Sequence, residues 1–71
     1  MENKELLKKI GNRIKVLRLE KGISQQELAA MINYEKSNMS RLESGGTNPT
    51  ILTLDKIATA LGLELTALLE E

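Results

Sequence analysis

Apolar residues recur at helical spacing from one end of this chain to the other, and no stretch of them alternates. A period near 3.6 gathers side chains onto one stripe of a helix, and a half-buried strand would need a period of two. Leu7, Ile10, Ile14 and Leu17 make the first such stripe, with Leu6 and Val16 beside it. The chain is therefore predicted to be all-α, its helices packed stripe against stripe around one core.

The breaks between stripes are equally legible. Gly22 follows Lys21 and fits the left-handed residue that closes a helix. Ser24 then opens a second helix, with Glu27 placed to complete a capping box. Leu28, Ala29 and Ile32 face inward, and Asn33 is the stop, since asparagine tolerates a left-handed backbone better than other side chains. A third helix starts at Glu35 or Lys36 and ends at Ser44-Gly45-Gly46. The loop Gly46-Thr47-Asn48-Pro49 leads to a fourth near Thr50, with Ile51, Leu54, Ile57, Ala58 and Leu61 as its stripe and Gly62 as its close. A short fifth helix is expected over residues 66–70, with Leu65 and Leu68 facing the core. The 71 residues form one domain, residues 1–71, near the lower size limit for a single core.

The residue inventory excludes several functions. There is no cysteine and no histidine, which removes disulfides, thiolate metal sites, and the commonest general base. No metal or cofactor is expected, and nothing pairs a nucleophile with a base, so the chain does not read as an enzyme. No apolar run is long enough to cross a bilayer, and MENKELLKKI lacks the apolar segment of a signal peptide. The expectation is a soluble, cytoplasmic domain.

Net charge is zero, but its distribution is uneven. From Met1 to Arg41, nine Lys and Arg stand against five Glu. From Leu42 onward Lys56 alone opposes Glu43, Asp55, Glu64, Glu70 and Glu71. A dipolar molecule can turn a positive end toward phosphate while staying neutral on average. The same lysines can equally serve to solvate a helix.

The third helix carries the sharpest signal. At about 100° per residue, Met39 and Leu42 share one side, while Ser37, Ser40, Arg41 and Ser44 lie opposite and Lys36 projects from the first turn. Small hydroxyls let a helix axis approach base edges, and long cations can then reach guanine or phosphate. Ala29 and Ala30 permit a tight crossing with the preceding helix around a turn of three or four residues, which is helix-turn-helix geometry.

From about Ile10 to Leu69 the chain resembles the DNA-binding domain of the phage repressor and Cro type, also called XRE-like. The resemblance rests on "SQQELA", on "SRLESG" with "NP" shortly after, and on "LDKIATALGL", in order and at the family's spacing. It implies a compact five-helix lambda-repressor-like domain whose second and third helices form the helix-turn-helix. It also implies a bacterial or phage transcription regulator of repressor, controller or antitoxin type, bound as a homodimer to a palindromic operator in double-stranded DNA. By position, Lys36, Ser37, Ser40 and Arg41 are expected to read bases, and Gln25, Ser44, Thr47 and Asn48 to hold phosphates. Arg18 and Glu43 are expected to form a structural ion pair, enclosed between the first and third helices.

Dimer contacts are expected at Leu52, Leu65 and Leu69. With no sensor domain in the sequence, regulation is expected from concentration, operator arrangement or a regulatory protein partner. The family often has Gly where Asn33 stands and Val where Tyr34 stands. Tyr34 either packs over the turn or offers its hydroxyl to phosphate, and Glu35 either repels phosphate or accepts from cytosine. Glu64 takes the place of the usual Ser or Asp cap. The rival reading is an adaptor that uses the same helical fold to bind protein, suggested by the zero net charge and acidic second half.

Overall fold

A computed structural model describes residues 3–70. It contains α1 (Lys4–Glu20), α2 (Gln25–Met31), α3 (Lys36–Glu43) and α4 (Ile51–Ala60), followed by a single 3-10 turn, Leu65–Leu68. The expected fifth α-helix is thus only a turn. Glu64 occupies its cap position without a side-chain hydrogen bond, and four residues are too few to complete intrahelical bonding once the first amides go unpaired. None of the described helices is long and apolar enough to cross a membrane.

Every element contributes a fully buried side chain to one core: Ile14, Leu28, Met39, Leu42, Ile57 and Leu68. Burial of each is worth about 1.5–3 kcal/mol before entropy is counted. The α4 stripe is shorter than its periodicity suggested. Leu54, Ile57, Ala58 and Leu61 are buried, but Ile51 is 61% exposed because it sits in the first turn, beyond the edge of the core.

All four helices close alike. After α2, Asn33 N–H donates to the Ala30 carbonyl and Tyr34 N–H to that of Ala29. The equivalent pairs follow α1, α3 and α4 at Gly22, Gly45 and Gly62. This Schellman closure satisfies two orphan carbonyls and reverses the chain within four residues. It requires a left-handed residue, and Asn33 has φ 57°.

Two more local devices set the frame. The Ser24 hydroxyl accepts from Glu27 N–H at 3.0 Å while Ser24 N–H donates to the Glu27 carboxylate at 2.7 Å, which is the capping box. Arg13 Nε donates to the Ala67 carbonyl at 3.0 Å and ties the closing turn to α1.

Candidate nucleic-acid interface

α2 and α3 are joined by residues 32–35 and packed on each other through Leu28, Ala29, Met39 and Leu42. Ala29 is buried, whereas Ala30 is exposed. Tyr34 is partly buried against the core. Glu35 is the N-cap residue of α3 and makes no side-chain capping bond.

With Met39 and Leu42 locked inward, the opposite face of α3 is fixed by helical geometry. Lys36, Ser37, Ser40 and Arg41 are all exposed on it. Arg41 is not loose: one guanidinium nitrogen donates to the Asn38 side-chain carbonyl, one turn earlier, at 2.6 Å. The spacing of three was visible in the sequence, yet Asn38 was not among the expected site residues. Ser44 is exposed at the end of the helix, its hydroxyl donating to the Arg41 carbonyl at 3.0 Å.

The loop beyond α3 is mixed. Asn48 is exposed, but the Thr47 hydroxyl oxygen is buried with no hydrogen-bond partner among the described residues.

Behind this face lies a buried polar knot that joins three helices. Arg18, on α1, donates from Nε to one Glu43 oxygen at 2.7 Å and from Nη2 to the other at 3.0 Å. Its third donor reaches the Ile23 carbonyl at 2.8 Å. Both side chains are almost fully enclosed, at 7% and 3% exposure. The hydrogen bonds to Glu43 raise the arginine pKa and outweigh the opposing desolvation, so the guanidinium stays protonated. Gln25, in the first turn of α2, donates its side-chain amide to the same carboxylate at 3.0 Å. The residue expected at a phosphate is therefore also held to α3, with one amide hydrogen and its carbonyl oxygen left over.

Close backbone approach seats α3 on α1. A Cβ on Gly11 would lie 2.5 Å from the carbonyl oxygens of both Leu42 and Glu43, so only glycine fits at that crossing. The signal for it was a lone glycine within a helical stripe, which costs about 1 kcal/mol relative to Ala unless packing requires it. Of the three leucines expected at a dimer contact, Leu52 is 74% and Leu69 49% exposed, while Leu65 packs partly against the core.

Residues 14–68 match the helix-turn-helix family. The uncharacterized HTH-type transcriptional regulator y4dJ of Sinorhizobium fredii is 39% identical over 59 residues, which are 83% of this chain and 77% of that one. The crystal structure of the restriction-modification controller protein C.AhdI from Aeromonas hydrophila superposes with a TM-score of 0.85 at 37% identity, covering 87% of this chain and 94% of that one. SinR, the master regulator for biofilm formation, has been solved in complex with DNA; the TM-score is 0.78 at 42% identity over 86% of this chain and 98% of that one. The match spans 57% of the full-length SinR of Bacillus subtilis. With residues 14–68 matched to the family and relatives 37–42% identical over most of its length, the chain belongs to the helix-turn-helix family of the XRE type.

Proposed function

We propose that this protein is a sequence-specific transcription regulator that binds double-stranded DNA as a homodimer, with α3 in the major groove. The observation that carries the reading is the division of α3: Met39 and Leu42 anchored in the core, Lys36, Ser37, Ser40 and Arg41 outward and accessible. SinR, so similar in fold and sequence, was crystallised with DNA. Arg41 is suited to a bidentate contact with guanine, and Lys36 to guanine or a nearby phosphate. Ser37 and Ser40 keep the helix thin enough to approach. Gln25, Ser44 and Asn48 hold phosphates on either side, and Thr47 contributes through its backbone N–H. The free Gln25 amide hydrogen supports that role, because the bond to Glu43 fixes where it points.

One helix reads only one half-site, so two protomers on half-sites about 34 Å apart account for useful discrimination. Leu52 and Leu69, with the edge of Leu65, supply the apolar contact. The protein acts inside the cell, where its DNA is.

The test is selection of bound duplexes from a random pool, repeated with Arg41→Ala and Gln25→Ala. Arg41→Ala is expected to relax preference at one base pair per half-site by about 1–3 kcal/mol. Gln25→Ala weakens all sequences alike. Identical preference profiles for the two variants, or no duplex binding by the parent protein, would overturn the reading.

A further inference from the structure

Lys4 and Lys8, in the first two turns of α1, have no part in the interface described so far. Both precede residues 14–68, the span that matches the family. Their position is nevertheless specific. Gly45, the residue that closes α3, has φ 82°, and a Cβ there would meet Lys8 Cγ at 2.7 Å and Lys8 Cα at 2.9 Å. The first turns of α1 thus lie directly against the end of the reading helix, where the exposed Ser44, Gly46 and Asn48 begin the loop.

Lys4 and Lys8 stand four residues apart and share one side of α1. Gly11, three residues on, falls on the same side and abuts the Leu42 and Glu43 carbonyls, which orients the whole stripe toward α3. Both lysines are exposed, and neither pairs with a carboxylate among the described residues.

We propose that Lys4 and Lys8 form an additional phosphate contact, extending the DNA face from the Ser44–Asn48 loop along α1. The contact is with the sugar-phosphate backbone of the same duplex and carries no sequence information. The inference rests on the DNA-binding reading given above. It competes with a purely internal role, in which Lys8 offsets the partial negative charge at the C-terminus of α3.

Lys4→Gln, Lys8→Gln and the double variant separate the two roles, with Lys56→Gln, on α4 in the acidic half, as control. Fluorescence anisotropy of the full chain on a random-sequence duplex is measured across a salt series, alongside thermal melting. Each lysine is expected to take about 0.9 from the log–log salt slope per engaged protomer, and about five-fold from affinity at 0.15 M salt. Base preference in a selected pool stays as in the parent, and Lys56→Gln leaves the slope as it was.

An unchanged slope overturns the proposal, with or without a lower melting temperature; a lower one assigns Lys8 to the helix end instead. A parent protein that binds no duplex overturns the DNA-binding reading as well. A parent that binds, and loses base preference with Arg41→Ala but no slope with the lysine variants, overturns this inference alone.

Discussion

Arg18→Met removes three donated hydrogen bonds at once, at 2.7 and 3.0 Å to Glu43 and 2.8 Å to Ile23. Methionine fills much of the same volume, so the cost is electrostatic. The Glu43 carboxylate, 3% exposed, stays behind with Gln25 as its remaining side-chain donor. Breaking a buried pair from one side costs about 3–5 kcal/mol. Because Gln25 still offers one N–H, the expected loss is at the lower end, about 3 kcal/mol.

A domain of this size has only about 4–11 kcal/mol in hand. At about 4–8 °C per kcal/mol, the midpoint should fall by at least about 12 °C. The assay is a thermal melt followed by far-ultraviolet circular dichroism, with urea unfolding as a check. The double variant Arg18→Met/Glu43→Met removes both charges and should recover most of the loss, since an apolar pair of similar volume is often neutral or better. A single variant melting within about 4 °C of the parent would refute the reasoning, and so would a double variant as unstable as the single.

Gly11→Ala should lower stability by about 1–3 kcal/mol in urea titration, because the methyl group meets backbone that cannot rotate away. A gain in stability, as helix propensity alone predicts, would show that α1 and α3 are not seated as described. Glu27 is held below its ordinary pKa of 4.5 by the Ser24 backbone N–H and then the Ser24 hydroxyl. A lowered carboxylate pKa means that its stabilisation is complete above pH 4.5 and disappears as pH falls through the folded-state value. Glu27→Gln should therefore show a shallower loss of stability on acidification, and an acid limb identical to the parent's would exclude the capping box as its cause. Leu52→Lys, at a side chain 74% exposed, should shift sedimentation to the monomer without changing the monomer's melt; a parent monomeric at all concentrations removes Leu52 from any interface.

Local chemistry was readable in the chain, and action at a distance was not. Gly22, Asn33, Gly45 and Gly62 announced the helix ends because left-handed backbone selects those residue types. Ser24 and Glu27 announced the α2 start by spacing alone. The outward residues of α3 followed from period and from the apolar anchors between them. The failures have the opposite character. Gln25 and Glu43 are 18 residues apart in sequence, and their bond depends on how α2 and α3 cross, which no periodicity encodes. The inward turn of the Thr47 hydroxyl is a rotamer choice made by surroundings. Leu65–Leu68 carries a helical apolar pattern but too little chain and no cap to sustain one. Ile51 keeps the period of α4 but lies past the end of the core it was assigned to.

The glycine contacts between α1 and α3 have a bearing on how such a protein changes its target. Where main chain rests on main chain, no intervening side chain can be enlarged or trimmed to tilt one rod against the other. The approach angle is inherited with the scaffold. On the proposed reading, new operators are learned by exchanging the exposed groups at positions 36, 37, 40 and 41, which stand outside the core and can change at little risk to folding.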